Sequence, residues 1–539
     1  MKKSSVLKAV SVISVISCIF SASTTGFSAA IIDENQFVSA QSTTQAVSAT
    51  TLPSKYSSKG LGYVTSVKSQ LYSDCWAYGG LATFESKLLR EGYDIESMSV
   101  NHLNAWATKR NDGTGWQRTP FGDGYAEITL GYLTSWQGGV EESDAGEITL
   151  SSTTKGDDID TTLAKYGTTA VEYLDSTDPD AIKRAIMENG GVYSAYASTA
   201  TCLSQDKTSY YMPESYSGGY TGHAIEIVGW NDNYLTSKFD GSVGATPSKS
   251  GAWLVKNSWG ENNSLGGYFW ISYEDKYIFG SKYKPSYTIR SVEVLDESKK
   301  LVQNEIYGVT YEFGYVKQNE ITFLNKFDFS DDYRTLDKVI FETTCKGADY
   351  TLYYVPDDSN SVPTTDKSSW LTLGEGTVDY SGYICADITN YYLPKGEGSI
   401  AVTIISDDST ATIGVGEWLS TSNGIKKFVN DSQYGDSYIY YDNTMSDLLD
   451  WYKTNNNDDL GGTFVIKAVT TNDEPQVTLL GDVNLDGQIN VLDATLIQKH
   501  SIELVELTDV ALANADYDQN GVINVTDATA IQKSIAGLA

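Results

Sequence analysis

The chain has 539 residues, a length that predicts more than one domain, and 40% of the residues are hydrophobic. Its 38 basic and 70 acidic side chains give a net charge of −32, which argues against binding nucleic acid through the phosphate backbone. The same charge is typical of an acidic extracellular protein. Five cysteines are too few to build a disulfide scaffold.

Residues 1–30 have the pattern of a secretory signal peptide. A basic start precedes an apolar run over residues 9–20, and small residues at 28–30 provide a cleavage site. A lipoprotein signal ending at Cys18 is a weaker alternative, because the residues before it fit poorly. Residues 31–50 are rich in Ser, Thr and Ala and are expected to be flexible. No later stretch is long and apolar enough to predict a membrane span.

Cys75 is predicted to begin a helix. Behind it, apolar side chains recur at steps of four, three and four residues: Ala77, Leu81, Phe84 and Leu88. Gly92 supplies the stop. The first N–H groups of a helix stabilise a thiolate, so the pKa of Cys75 is expected to fall. A buried structural cysteine is the plainer alternative.

Two later stretches support a reactive cysteine, since a nucleophilic thiol needs a base and the base needs a group that holds its ring. His223 opens a short strand-like run, and Asn257 directly follows another apolar run. The chain has only 3 histidines, so the order Cys75, His223, Asn257 is not expected by chance.

These stretches resemble the papain family of cysteine peptidases over roughly residues 51–285. The matching blocks are Cys75-Trp76-Ala77, His223-Ala224 and Lys256-Asn257-Ser258-Trp259-Gly260. The resemblance implies an α+β papain-like fold that hydrolyses peptide bonds, with Cys75 as nucleophile, His223 as base and Asn257 holding the imidazole. Gln70 and the Cys75 N–H would stabilise the oxyanion, while Trp76 and Trp259 would support the site.

The sequence departs from the papain pattern just before the nucleophile. Residues 72–74 replace the usual Cys-Gly-Ser, so the nearby disulfide of that family cannot form. Gln70 lies one residue closer to Cys75 than usual, and Asp74 adds a charge beside the site. Two glycine-rich segments, 122–125 and 136–140, are alternative candidates for the stretch that pairs with the substrate backbone.

Other features of this region have structural interpretations. His102 follows a helix cap at Ser99 and comes too early in the order to be the base, so a structural role is expected. Nothing in the sequence pairs Cys202 with a base. Residues 181–186 predict an amphipathic helix that ends at Gly190.

Residues 286–470 change to short strands separated by turn residues, which predicts a β-sandwich. The region resembles the lectin-like module of some bacterial papain-like peptidases. Trp370 and Trp418 would suit stacking on sugars such as plant cell-wall carbohydrate, although ordinary core positions are favoured. A disulfide between Cys345 and Cys385 stays open, because spacing cannot decide it.

After a linker at 471–478, residues 479–539 contain a duplicated calcium loop. Calcium takes six to eight oxygen ligands, which alternate side chains around a mid-loop glycine supply. The candidate ligands of the first loop are Asp482, Asn484, Asp486, Gln488, Asn490 and Asp493. Those of the second loop are Asp516, Asp518, Asn520, Val522, Asn524 and Asp527. Helices are predicted after the loops, over 494–499 and 528–533.

The duplicated half EF-hand resembles a dockerin, the module that binds a cohesin on a cellulosomal scaffold. An isolated calcium-stabilised module is the alternative. The resemblance implies two bound calcium ions and a cohesin partner contacted at the helix starts by Val491, Leu492, Val525 and Thr526.

Together these features predict a secreted cysteine endopeptidase tethered to a cellulosome, with no cofactor needed for catalysis. A non-catalytic adhesion or carbohydrate-binding subunit is the main alternative, favoured only by the short Gln70–Cys75 spacing. An inhibitor or regulator of proteases within the complex is a third.

Overall fold

A computed structural model describes residues 51–175, 178–280, 285–315, 317–407, 410–417, 428–429, 432–454, 461–472, 479–485, 487–502, 504–505, 507 and 509–538. The predicted signal peptide and flexible segment lie outside the described residues, as do most of the predicted linker, Trp418 and Asp486.

The helices, in chain order, are α1 (Cys75–Glu91), α2 (Val100–Trp106), α3 (Ala126–Thr134), α4 (Glu142–Ala145), α5 (Pro179–Asn189), α6 (Leu448–Thr454), α7 (Val491–Ser501), α8 (Asp509–Ala515) and α9 (Val525–Ile535). No helix in the described part of the chain is long and apolar enough to cross a membrane.

The strands of the first half are β1 (Lys55–Ser57), β2 (Gly115–Trp116), β3 (Tyr166–Gly167), β4 (Val171–Leu174), β5 (Val192–Ser198), β6 (Ser209–Tyr210), β7 (Thr221–Asn231), β8 (Ala252–Lys256), β9 (Tyr268–Ser272), β10 (Ser286–Ile289), β11 (Glu293–Val294) and β12 (Lys299–Gln303). Those of the second half are β13 (Tyr311–Gly314), β14 (Glu320–Asp328), β15 (Thr335–Thr343), β16 (Asp349–Val355), β17 (Leu371–Thr377), β18 (Gly382–Tyr392), β19 (Glu397–Ile405), β20 (Thr412–Glu417), β21 (Phe428–Val429), β22 (Ser437–Tyr441), β23 (Thr444–Asp447), β24 (Gly462–Phe464) and β25 (Ile466–Thr471).

Helix α1 confirms the helix predicted behind Cys75. It begins at Cys75, and Gly92 ends it in the left-handed conformation with φ 92°, which glycine adopts without strain. The helix lies very close to strand β7, since a Cβ on Gly79 would come within 3.2 Å of the backbone nitrogen of Ile225. Glycine at this position therefore allows the start of α1 to approach the sheet.

A single 12-stranded sheet runs through the protease region and continues beyond it. The protease part consists of β4, β10, β5, β7, β8, β9 and β6 in this order, with β1 paired to β7, and β18 pairs with β4 to add β15, β25 and β12. The pairs that join the two parts are Gly382 with Glu172 and Tyr383 with Val171. No sequence pattern predicted this continuity, because the two partner strands lie far apart in the chain.

The predicted β-sandwich is confirmed. A six-stranded sheet, in the order β17-β16-β19-β14-β22-β23, packs against the extension of the large sheet. Phe323 and Val402 from the first sheet and Phe341 and Ile466 from the second lie in one buried core.

A buried lysine ties the β-sandwich to the protease region. The Lys467 Nζ atom lies 3.3 Å from a Glu305 carboxylate oxygen and donates to Gln303 Oε1 at 2.8 Å. It also donates to the carbonyl oxygen of Thr134, the last residue of α3, at 3.3 Å. Removing either charged partner would leave the other charge buried and unpaired, which is strongly destabilising.

The sandwich also decides two questions that the sequence left open. The Trp370 side chain is 7% exposed, its ring packs edge-on against Tyr353 and Tyr440, and its Nε1 donates to the Thr364 carbonyl oxygen at 2.9 Å. Trp370 is therefore a core residue, and its buried ring is not placed to stack on a sugar. Cys345 and Cys385 are free thiols.

The C-terminal region packs its helices around a small core. Ala494 and Ile497 of α7 meet Ala528 and Ile531 of α9. Both helices begin three residues earlier than predicted, because the asparagine before each one caps the helix and forms a capping box with an aspartate three residues on.

Candidate active site and calcium loops

Three elements bring the predicted catalytic residues together. Cys75 is the first residue of α1, His223 lies in β7, and Asn257 directly follows β8, the neighbour of β7 in the sheet. The backbone N–H of Ala224 donates to Cys75 Sγ at 3.4 Å, so the sulfur lies against the strand that carries the histidine.

His223 is held by an amide and covered by an indole. Its Nε2 contacts Asn257 Oδ1 at 2.8 Å, and the Ser258 N–H donates to the same oxygen at 2.8 Å, which fixes the orientation of the amide. Because Oδ1 only accepts, Nε2 carries the proton and Nδ1 is the basic nitrogen. The Trp259 ring stacks on the imidazole, with centroids 4.4 Å apart, and the His223 side chain is 4% exposed.

The pKa values of Cys75 and His223 are both shifted, and the shift of Cys75 is opposite to the expected one. Burial, with the charges of Asp74 and Asp123, raises the pKa of the Cys75 thiol to about 11, although the Ala224 N–H opposes this. Burial also lowers the pKa of His223 to about 4. The predicted fall in the Cys75 pKa is therefore wrong for the isolated thiol, because desolvation outweighs the helix N-terminus. The raised pKa disfavours a thiolate beside a neutral imidazole, and the lowered pKa disfavours an imidazolium beside a neutral thiol. We therefore expect the thiolate and the imidazolium to form together, as an ion pair.

In spite of its shorter spacing, Gln70 is held against Ser258, the residue after Asn257. Its backbone N–H donates to the Ser258 carbonyl oxygen at 2.7 Å, and the Ser258 hydroxyl donates to Gln70 Oε1 at 2.5 Å. Its Nε2 donates one hydrogen to the Tyr72 carbonyl oxygen at 2.8 Å. The second Nε2 hydrogen is the one that would form a hydrogen bond to an oxyanion.

The surroundings of Trp76 distinguish the two glycine-rich segments. A Cβ on Gly124 would come within 2.4 Å of the buried ring of Trp76, the residue after the nucleophile, so Gly124 packs against the start of α1. A Cβ on Gly138 would instead overlap Tyr132, a fully buried core residue. Segment 122–125 is therefore the one beside the site. It also contains Asp123, which the sequence analysis did not single out although it interrupts the two glycines.

A buried ionic cluster lies behind the catalytic residues. Lys256 Nζ lies 3.7 Å from Glu226 Oε2 and 4.0 Å from Glu85 Oε2, and it donates to Thr65 Oγ1 at 2.9 Å. Burial raises the pKa of Glu226 to about 7. Although burial opposes ionisation of Glu85, the neighbouring lysines Lys68 and Lys256 hold its pKa below the ordinary value.

Two residues expected to be structural have buried surroundings. His102 Nδ1 contacts the Tyr132 hydroxyl at 2.7 Å, and its Nε2 donates to the Asp160 carbonyl oxygen at 3.1 Å. Cys202 is a buried free thiol, and burial raises its pKa to about 11. Neither residue has the partners of a nucleophile or a base.

The second calcium loop fits a cation. Carboxylate oxygens of Asp516, Asp518 and Asp527 lie within 4.8 Å of one another. Gly521 turns the loop with φ 81° and places its N–H on an Asp516 oxygen at 2.9 Å. Asn520 directly precedes Gly521 in the loop. Hard oxygen donors, such as the oxygens of these aspartate and asparagine side chains, suit calcium.

The remaining predicted ligands of that loop also serve as structural groups. The Asn524 side chain caps α9 and donates to the Val522 carbonyl oxygen at 3.0 Å. Asp527 accepts from the Asn524 N–H at 2.9 Å, which orients its carboxylate towards the loop.

The first loop repeats this geometry where it is described. Asp493 accepts from the N–H groups of Val483 and Asn490, and Asp482 accepts from Gly487 at 2.8 Å. Gly487 has φ 79°, close to the value of Gly521. Asn484 and Gln488 lie on the same loop. The predicted partner residues at the helix starts, Val491, Leu492, Val525 and Thr526, are all exposed.

Three regions of the chain match known families. Residues 52–289 match the papain family cysteine proteases, 301–470 match the lectin-like domain, and 480–536 match the dockerin type I domain.

Curated relatives match only short regions. Endo-1,4-beta-xylanase Y of Acetivibrio thermocellus is 34% identical over 104 residues, which is 19% of this chain and 9% of that protein. An uncharacterized peptidase C1-like protein of Acanthamoeba polyphaga mimivirus is 33% identical over 100 residues, 18% of this chain and 26% of that protein. The chain therefore spans only a minor part of either relative.

Two solved structures match far more of the chain. The clostridial cysteine protease Cwp84 after propeptide cleavage is 33% identical with a TM-score of 0.67, and the match covers 77% of this chain and 99% of that one. The protease and lectin-like domains of Cwp84, a surface layer associated protein of Clostridium difficile, are 33% identical with a TM-score of 0.68, covering 78% and 89%. The chain therefore belongs to the papain family of cysteine proteases, and it carries a lectin-like domain and a type I dockerin domain after its protease domain.

Proposed function

We propose that this protein is a secreted cysteine endopeptidase that works through Cys75, His223 and Asn257 and is tethered to a cellulosome scaffold by its dockerin. The observation that carries the catalytic part is the 2.8 Å contact from His223 Nε2 to Asn257 Oδ1, with His223 on the strand that lies against the Cys75 sulfur. Secretion rests on the signal pattern of residues 1–30.

Catalysis begins with proton transfer from the Cys75 thiol to His223 Nδ1, which charges both groups at once. The thiolate attacks the peptide carbonyl carbon, and the tetrahedral intermediate collapses as the C–N bond breaks. His223 gives its proton to the leaving amine, then takes one from the water that hydrolyses the acyl-enzyme. Asn257 keeps the imidazole oriented throughout, and Trp259 keeps water from their hydrogen bond.

Two N–H donors face the oxyanion in this proposal. The Cys75 backbone N–H is the first of α1 and has no partner within the helix, as at every helix start. The second donor is Gln70 Nε2, through the hydrogen that it does not donate to the Tyr72 carbonyl oxygen. Donors of this kind stabilise charge that develops only in the transition state.

Calcium would be held by the aspartates of the two C-terminal loops, with Asn520 and backbone oxygens completing the second set. The close carboxylates of Asp516, Asp518 and Asp527 support this, because they would repel one another without a cation. Bound calcium would supply folding free energy to the dockerin. The exposed apolar side chains Val491, Leu492 and Val525 would then form the cohesin contact, together with Thr526.

The nucleophile assignment predicts that Cys75→Ala abolishes cleavage of casein, because none of the other thiols in the described residues lies against the strand that carries the base. Cys202→Ala is the matched control and should keep nearly full activity, since Cys202 is buried away from a base. Casein hydrolysis is measured on both variants, with circular dichroism to confirm folding. Equal activity of wild type and Cys75→Ala would contradict the assignment of Cys75 as the nucleophile, and no activity in either protein would favour a non-catalytic subunit.

The oxyanion assignment predicts that Gln70→Ala lowers kcat by about 10²–10³-fold with little change in KM, because the lost donor acts only in the transition state. Steady-state kinetics on one fluorogenic peptide provide the measurement. A loss below about threefold would mean that Gln70 stays bound to Tyr72 and Ser258 and that another group fills the oxyanion hole.

The dockerin assignment predicts calcium-dependent capture by a cohesin that EDTA reverses. The variant Asp482→Ala plus Asp516→Ala should lose capture while keeping casein hydrolysis, since each loop loses a carboxylate ligand. Asp94→Ala plus Asp180→Ala removes the same charge from the protease surface and serves as the control in the pull-down. Unchanged capture by the first variant in calcium would refute the role of these loops.

A further inference from the structure

We infer that Asp123 makes the cleft selective for a substrate with a lysine or arginine at the residue whose carbonyl carbon Cys75 attacks. This inference rests on the proposed function and adds the substrate class. It depends on where Asp123 lies, on what its neighbours bind, and on the net charge they leave beside the nucleophile.

Asp123 lies where that substrate side chain would pass. It sits between Gly122 and Gly124, in the segment that packs on Trp76, the residue after the nucleophile. The hydroxyl of Ser73, two residues before Cys75, hydrogen-bonds its carboxylate. A peptide bound in extended form along this segment, with its carbonyl at the sulfur, would place the adjacent side chain between Ser73 and Asp123.

The nearby guanidinium of Arg118 forms its hydrogen bonds with backbone carbonyl oxygens. Arg118 donates to the carbonyl oxygens of Ala107, Gly122 and Asp123, at 3.0, 2.6 and 3.1 Å. Its guanidinium also lies 4.9 Å from the Trp76 ring centroid. Arg118 therefore holds the shape of the segment, and the Asp123 carboxylate remains available to a charge that enters the cleft.

The nucleophile thus lies in a negative environment. Asp74, 2% exposed, receives a hydrogen bond from Asn104 at 3.0 Å and contributes a second carboxylate beside the single guanidinium of Arg118. Burial raises the pKa of both Asp74 and Asp123 because it disfavours their charged forms, although the charge of Arg118 opposes this; a second positive charge beside them would act in the same direction as Arg118. A substrate ammonium or guanidinium would supply it, whereas a substrate carboxylate would be repelled.

The bound cation would also act on the nucleophile. Asp74 and Asp123 both disfavour the Cys75 thiolate through their charge. A cationic side chain next to Asp123 would offset that effect and so favour the reactive ion pair. The selectivity is therefore expected in kcat as well as in KM.

The test uses the full chain and four fluorogenic peptides that differ only at this residue: lysine, arginine, norleucine or glutamate. We expect kcat/KM for lysine to exceed that for its neutral isostere norleucine by about tenfold, equivalent to about 1.4 kcal/mol of transition-state binding. Glutamate should be the poorest substrate. In Asp123→Asn, which keeps the side-chain shape, the ratio of lysine to norleucine should fall to within about twofold.

Asp94→Asn is the control, because this exposed aspartate lies beyond the far end of α1 and its loss should leave the ratio unchanged. Titration of Cys75 with an irreversible thiol reagent counts the active sites in every variant. A wild type that cleaves norleucine as well as lysine, or an Asp123→Asn variant that keeps the preference, would overturn the inference alone. A wild type that cleaves none of the peptides would overturn the proposed function, and this inference with it.

Discussion

One buried ionic cluster joins the three elements on which catalysis depends. Lys256 in β8 sits between Glu226 of β7 and Glu85 of α1, and the same three elements carry the orienting amide, the base and the nucleophile. Separating Lys256 from the two carboxyl groups would leave its ammonium group buried and unpaired, so the cluster penalises any separation of helix from sheet. The close packing of Gly79 against Ile225 acts in the same direction. The relative position of thiol and imidazole therefore follows from the core beneath them.

The lectin-like domain extends this rigidity outward. Its strand β18 continues the protease sheet through β4, and Lys467 donates to the carbonyl oxygen of Thr134 at the end of α3. The backbone hydrogen bonds of the shared sheet and the buried hydrogen bond from Lys467 to Thr134 both penalise movement of one domain against the other. We interpret the domain as a structural partner of the protease, a role that requires no sugar. The buried position of Trp370 agrees with that interpretation.

Local chemistry was predictable from the sequence, and long-range packing was not. The helix behind Cys75, the strands of His223 and Asn257 and the calcium loops all follow from residue spacing and from glycine positions. The direction of the Cys75 pKa could not be predicted, because it depends on burial and on Asp123, which only the fold brings beside the thiol. The shared sheet and the contact of Gln70 with Tyr72 likewise join groups through tertiary geometry.

We infer that the Cys75 thiol becomes reactive only by sharing its charge with His223. The most direct test follows alkylation of Cys75 by iodoacetamide from pH 5 to 10, with mass spectrometry of the Cys75 peptide, in wild type and in His223→Ala. Because burial raises the pKa of the isolated thiol, we predict that the variant reacts at least about 100-fold more slowly at neutral pH and gains about tenfold per pH unit above it. The wild type should react rapidly already below neutral pH. The same rate and the same pH profile in both proteins would contradict the account.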